Sequence, residues 1–267
     1  MDSVAWTAGS EPVVGVVDTD ADSSGGQRET RVPDDLGDLL TEYDGSVVTG
    51  SVETVRAATP SFVVTLGDDS LFELIQATDF SEGPILPVDC DPGIASVSRT
   101  ALPDAIRAVL DGDALVHERP VLDVNIGNGS PQRALYDVTL ATDEPARISE
   151  YGVESRSKSI AQFRADGVVV ATAAGSHGYA NAVDGPILSS AVDAIVAAPI
   201  APFDTHTDRW VLPDERLSLS IERNEDAVAV SVDGRTLETI SADRRVEITS
   251  NGSFSMLVLS GENAFEN

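Results

Sequence analysis

Two stretches of the chain combine glycine, hydroxyl and carboxylate residues in an arrangement suited to holding and transferring phosphate. In FRADGVVVATAAGSHGYANAVDGPIL, from Phe163 to Leu188, an apolar strand leads through small residues into a short helix that opens with Gly175-Ser176. Small side chains at that point let backbone N–H groups face an anion. In the second stretch, the apolar strand Phe62–Leu66 ends in Gly67-Asp68-Asp69-Ser70 and runs into a helix over Leu71–Gln76. A strand–turn–helix of this kind puts a carboxylate and free amides where a phosphate could sit, with the carboxylate available to orient or deprotonate a hydroxyl. Taken alone, Asp68 is better explained as a helix N-cap.

The surrounding pattern supplies the elements that must position these residues. Apolar runs at Val13–Val17, Ser46–Val48, Phe62–Leu66 and Ile85–Val88 suit buried parallel strands. Helices are expected from Pro33-Asp34-Asp35 through Leu39-Leu40, over Val52–Ala58 and over Leu102–Leu110. After about Gly112 the period changes to two, at Val121–Ile126, Ala134–Leu140, Arg147–Val153, Ile160–Phe163, Leu217–Ile221, Val228–Val232, Val246–Ile248 and Phe254–Leu259. Turn signals at Asn128-Gly129, Asp233-Gly234 and Asn251-Gly252 separate several of these runs. Only Gly175–Ala182 reads as a helix in this half. The expected architecture is therefore an α/β N-terminal lobe over residues 1–112 and a β-rich, β-sandwich-like C-terminal lobe over 113–267.

Composition narrows the class. The 267 residues carry 45 Asp and Glu against 17 Lys and Arg, for a formal net charge of −28, and Lys158 is the only lysine. Such a surface repels itself in dilute buffer, and salt near 1 M, with a Debye length of about 3 Å, relieves the repulsion. A halophilic cytoplasmic protein is expected, with a melting curve that moves upward between low salt and molar KCl; coincident curves would refute this. No basic stripe is present to release counterions from nucleic acid. No apolar run approaches the ~20 residues of a membrane helix, and MDSVAWTAGSEP has no basic region ahead of an apolar stretch, so neither membrane insertion nor a secretory leader is expected. Cys90, the single cysteine, allows no intrachain disulfide.

The segment Phe163–Leu188 resembles the nucleotide-binding segment of the NAD kinase family, whose usual form is close to DG-(apolar)-STPTGSTAYSLSAGGPI. Asp166, Gly167, Thr172, Gly175, Ser176, Tyr179, Gly185 and Pro186 stand on matching positions, while Ala173, Ala174, His177, Gly178 and Asp184 depart from it. LGDDS at Leu66–Ser70 resembles the family's GGDGT, Ala134-Leu135-Tyr136-Asp137 its ALNE, and APIAPF with WVLP, Ala198–Phe203 and Trp210–Pro213, its TPICPHSLS and RPIVLP. The resemblance runs from about Phe62 to Pro213 and identifies a divergent, haloarchaeal-type member with a degenerate GGDG motif.

That resemblance implies a two-domain fold binding nucleotides in a cleft, a homo-oligomer, and transfer of phosphate to NAD from ATP or an inorganic polyphosphate, with a divalent cation, Mg²⁺, carried in on the donor. Asp68 takes the catalytic position. Gly67, Asp69, Ser70, Gly175 and Ser176 take phosphate-side positions, and Tyr136, Asp137, Asp166, Thr172, His177, Gly178 and Tyr179 dinucleotide-side positions. His177 can stack on an adenine, contact a phosphate, or stand at the surface without a role. Alternatives from other classes are a dinucleotide-binding regulatory protein without turnover, and a kinase for a different hydroxyl. Asp69 beside Asp68 demands either a raised pKa or a cation between them.

Other signals fail. A Walker loop needs G-K-[ST], and the only lysine lies in RSKS. Ser176-His177 lacks a G-x-S-x-G elbow. Asp18, Asp20, Asp22 and Glu29 mimic the spacing of a calcium loop, but Ser23 holds its glycine position, so a solvated acidic loop is expected.

Overall fold

The computed structural model describes residues 4–18, 36–77, 83–127, 129–142, 147–223, 227–242 and 244–259. The acidic run after Asp18, the small-residue patch Ala21–Gly26, the expected helix start at Pro33–Asp35 and Asn128 lie outside them. The chain divides into two compact units, residues 1–119 with 253–267, and residues 120–252. The segment from Ser253 onward thus falls with the first unit.

The first unit contains β1 (Val4–Trp6), β2 (Val13–Val17), α1 (Leu36–Thr41), β3 (Ser46–Gly50), α2 (Val52–Ala57), β4 (Phe62–Leu66), α3 (Gly67–Ala77), β5 (Ile85–Val88) and α4 (Leu102–Leu110). It also holds the start of β6 (Ala114–Ile126), along which the chain leaves the unit. Strands β3, β2, β4 and β5 pair in parallel in that order. All five residues of β4 and all four of β5 are buried, which is why these strands read as unbroken apolar runs. Val14, Val16, Phe62, Val64, Leu66 and Leu86 form one core with Leu36 and Leu40 of α1 and Leu102, Ile106 and Val109 of α4. Trp6 meets Phe62 edge-on at 5.6 Å between ring centroids.

The second unit contains β7 (Gln132–Ala134), β8 (Asp137–Thr142), β9 (Ser149–Ser155), β10 (Lys158–Ala165), β11 (Gly167–Ala171), α5 (Tyr179–Ala182), β12 (Ala194–Ile200), β13 (Trp210–Pro213), β14 (Leu217–Arg223), β15 (Val228–Val232) and β16 (Arg235–Ile240). The long β17 (Arg245–Leu259) returns the chain to the first unit. One antiparallel sheet has the order β13-β12-β11-β8-β15-β16. The other face of the unit is built by β10, β9, β14 and the first residues of β17. Phe163 of β10 packs between Tyr151 of β9 and Trp210 of β13, at 6.2 and 5.5 Å. The α/β and β-rich character expected of the two halves is therefore present.

Three expectations need correction. The Leu71–Gln76 helix starts four residues earlier, because Gly67 takes φ +80° and turns the chain straight from β4 into α3. Asn251-Gly252 is not a turn but lies inside β17, where the Asn251 side chain donates to Asp123 at 2.6 Å. Ala134–Leu140 is not one strand; it breaks at Leu135-Tyr136 between β7 and β8. Among the described residues no helix is long and apolar enough to cross a membrane.

Candidate functional site

In the first unit, Asp68 and Asp69 occupy the first turn of α3, where the helix dipole favours negative charge. Asp68 is half-buried and accepts the Asp91 backbone N–H on its two oxygens at 3.1 and 3.3 Å. This bond ties α3 to the loop after β5. Asp91's carboxyl is held above its usual range by the Asp68 charge first and by burial second. Burial, then Asp68 and Asp91, pushes the Cys90 thiol up, which makes it a poor nucleophile. The loop is fastened further on by Asp89, which accepts the Arg99 N–H and pairs with its guanidinium at 3.3 Å.

The other residues of this turn separate by burial. Asp69 is exposed, whereas Ser70 is 1% exposed and its hydroxyl has no hydrogen-bond partner. The Thr65 hydroxyl, fully buried in β4, has none either. Leu66, which stands where the family has a glycine, is buried in the core of the unit.

In the second unit, Thr172 joins two segments. Its hydroxyl donates to Leu135 O at 2.6 Å, its N–H donates to Tyr136 O at 2.9 Å, and its Oγ1 accepts the Gly175 N–H at 3.2 Å. Gly175 lies so close to this bend that a Cβ there would stand 1.9 Å from Tyr136 O. Tyr136, Asp137, Thr172, Gly175 and Ser176 are thereby brought together, with half-exposed His177 and exposed Gly178 and Tyr179 following directly. Burial raises the Asp137 carboxyl above its ordinary value, against a hydrogen bond from Thr139.

Several site expectations are corrected here. Gly175 and Ser176 do not present their amides outward: Gly175 N–H goes to Thr172 Oγ1, and Ser176 N–H to Thr172 O at 2.8 Å. The Ser176 hydroxyl is buried, donating to Ala173 O at 2.7 Å and accepting the Leu188 N–H at 2.9 Å. The reason is local geometry, since Gly175–His177 forms a 3₁₀ turn folded onto Thr172, and α5 beyond it has only four residues. Asp166 is not part of this cluster. It precedes β11 while Thr172 follows it, which separates them by about 20 Å of extended chain. Its carbonyl accepts the Tyr151 hydroxyl at 3.2 Å and the Thr142 N–H at 3.0 Å.

Asp233 was not singled out as a site residue from the sequence, where Asp233-Gly234 is legible only as a turn. It caps the β15–β16 hairpin with φ 47°, followed by Gly234 at φ 74°. Its carboxylate accepts three successive backbone N–H groups: Leu135 at 2.8 Å, Tyr136 at 2.7 Å and Asp137 at 2.9 Å. Burial pushes this carboxyl up to about 6 while the three amides pull the other way. At the far side, Arg209 donates to Val183 O at 3.1 and 3.2 Å and holds the end of α5.

A NAD kinase of Archaeoglobus fulgidus, solved in complex with ATP, superposes with TM-score 0.72 at 20% identity over 95% of each chain. Yeast NADH kinase complexed with NADH gives TM-score 0.69 at 19% identity, covering 82% of this chain and 67% of that one. The fold is that of the NAD kinases. Residues 135–259 match the ATP-NAD kinase C-terminal domain, and the NAD kinase of Methanopyrus kandleri is 29% identical over 208 residues, 76% of this chain and 74% of that protein. In sequence and in fold the chain is similar to the NAD kinases.

Proposed function

We propose that this protein phosphorylates the 2′-hydroxyl of the adenosine ribose of NAD, giving NADP, with ATP or an inorganic polyphosphate as donor. The likeness to NAD kinases supports a kinase phosphotransferase. The observation that carries the finer reading is Asp68: a half-buried carboxylate in the first turn of an eleven-residue helix, held in place by the Asp91 amide. It suits a group that orients the ribose hydroxyl and takes its proton as O2′ bonds to the terminal phosphorus and the bond to the leaving phosphate breaks. Positioning and charge neutralisation supply most of the rate in such transfers. The relatives bound to ATP and to NADH support the two substrate classes.

In the second unit, Tyr136, Asp137, His177 and Tyr179 would meet the dinucleotide, with Thr172 and Gly175 holding them from behind. A divalent cation, Mg²⁺, would neutralise donor phosphates and carboxylates. Such an ion would come with the donor: among the described residues no cluster of three or more ligating side chains forms a cage for it, and Asp68, whose charge raises its neighbour Asp91, is the carboxylate it would neutralise.

A second reading, a dinucleotide-binding protein without turnover, is favoured by the exposed Asp69 carboxylate at the start of α3. The test is incubation in molar KCl with Mg²⁺ and NAD, offering ATP or polyphosphate, and measurement of NADP. Product supports the kinase; NAD binding without product supports the second reading. Because Asp69 adds negative charge where donor phosphates would approach, Asp69→Gly is expected to raise turnover with ATP relative to polyphosphate. An unaltered donor preference removes Asp69 as the discriminator.

A further inference from the structure

We propose that Asp233 is the positioning residue of the dinucleotide subsite, setting where Tyr136 and Asp137 stand by gripping the backbone that carries them. The inference rests on the reading of the second unit as the NAD-binding side. Three consecutive N–H groups, those of Leu135, Tyr136 and Asp137, converge on one carboxylate at 2.7–2.9 Å. Consecutive amides pointing the same way form an anion-binding concavity. Here the anion belongs to the chain itself, from a hairpin tip almost a hundred residues further on.

The grip is two-sided. While Asp233 holds the Tyr136 N–H, the Tyr136 carbonyl accepts from Thr172 N at 2.9 Å and from Thr172 Oγ1 at 3.3 Å. Asp233 N–H returns to Asp137 O at 2.9 Å, so residue 137 is held at both its amide and its carbonyl. Neither β7 nor β8 supplies ladder partners at the break, and a buried amide left without an acceptor costs about 1–3 kcal/mol. The Asp233 side chain meets that need and, in doing so, fixes the direction in which the Tyr136 and Asp137 side chains leave the backbone. It is not placed to touch the substrate and acts through these two residues.

The test compares Asp233→Asn, Asp233→Ala and Asp233→Glu with the unmodified protein in molar KCl. Asn keeps one oxygen for Tyr136 and Asp137 but turns an NH₂ toward the Leu135 N–H, so the KM for NAD is expected to rise about tenfold, in line with loss of one charged hydrogen bond. Ala is expected to raise it about a hundredfold, and Glu, which restores a carboxylate, to recover part of the loss. The KM for ATP should not move, and kcat should stay within about twofold. A residue that only stabilises the fold would lower kcat with the folded fraction and leave the KM for NAD alone; that pattern, or an Asn variant with wild-type KM for NAD, overturns the proposal. Asn is nearly isosteric and carries the test if the Ala variant does not fold. Where turnover is absent, the dissociation constant of NAD by calorimetry reads the same shift. Failure of the unmodified protein to bind NAD at all would instead remove the functional reading and this inference together.

Discussion

Asp68→Asn is expected to lower kcat for NADP formation by about 10³-fold, within the range that a positioned proton acceptor contributes, while leaving the KM for NAD close to its starting value. The substitution is nearly isosteric, and the Asn carbonyl oxygen can still accept the Asp91 N–H that Asp68 accepts at 3.1 and 3.3 Å. The loop after β5 therefore stays attached to α3. What disappears is the negative charge and the capacity to hold a proton. The same loss has an electrostatic signature elsewhere. Asp91 is raised chiefly by the Asp68 charge, so its ionised form is disfavoured in the folded state. A carboxyl raised on folding opposes stability once the pH exceeds its unfolded value. That relief offsets what the variant loses at the start of α3, where the helix dipole favours the Asp68 charge, so the melting temperature at neutral pH is expected to stay close to the parent's. Steady-state kinetics and a melting curve on one preparation check both parts: a kcat within tenfold of the parent removes Asp68 from the chemistry, and a lower melting temperature assigns it a structural role instead.

The parts of the fold that were legible in the sequence are those in which one local pattern decides the outcome. Val13–Val17 and Phe62–Leu66 read as parallel strands because both of their faces are buried, leaving no polar alternation to confuse with a surface strand. Val52–Ala57 forms the expected helix, with the Ser51 hydroxyl accepting the Thr54 N–H as its N-cap. Ala194–Ile200 is harder to read as a strand, because Pro199 sits within it; yet it pairs on both edges, with Pro199 opposite Val168. Asn251-Gly252 misled for the opposite reason: the dipeptide favours a hairpin, but pairing along β17 overrides that preference. The site divides in the same way. Asp68, Thr172 and Gly175 are legible as candidates because their motifs are contiguous. The bond from the Leu188 N–H to the Ser176 hydroxyl spans 12 positions and the grip of Asp233 spans 96 to 98, and no local reading contains either.

Gly175→Ala is expected to abolish measurable NAD binding and to lower the urea midpoint, an outcome that differs in kind from Gly67→Ala. At Gly175 the added methyl would lie 1.9 Å from Tyr136 O, 2.4 Å from Tyr136 C and 2.9 Å from Tyr136 Cα. All three are backbone atoms, so no side chain can rotate away, and the 3₁₀ turn must separate from the Leu135–Asp137 bend. Separation breaks the bonds from Thr172 to Leu135 O and Tyr136 O, and Asp233 then holds a bend with nothing behind it. Overpacking of this kind costs about 1–3 kcal/mol or more, and the displaced residues are those proposed to meet the dinucleotide. At Gly67 no atom lies within 4 Å of an added Cβ, but φ is +80°. The cost there is the left-handed backbone alone, about 1–2 kcal/mol, with the second unit's subsite untouched. Calorimetric NAD titration of the two variants separates the cases: Gly67→Ala should bind with the parent's affinity and Gly175→Ala should not bind. Equal affinities would mean that the turn at Gly175 can withdraw from Tyr136 without disturbing the subsite, which the bonding through Thr172 does not allow.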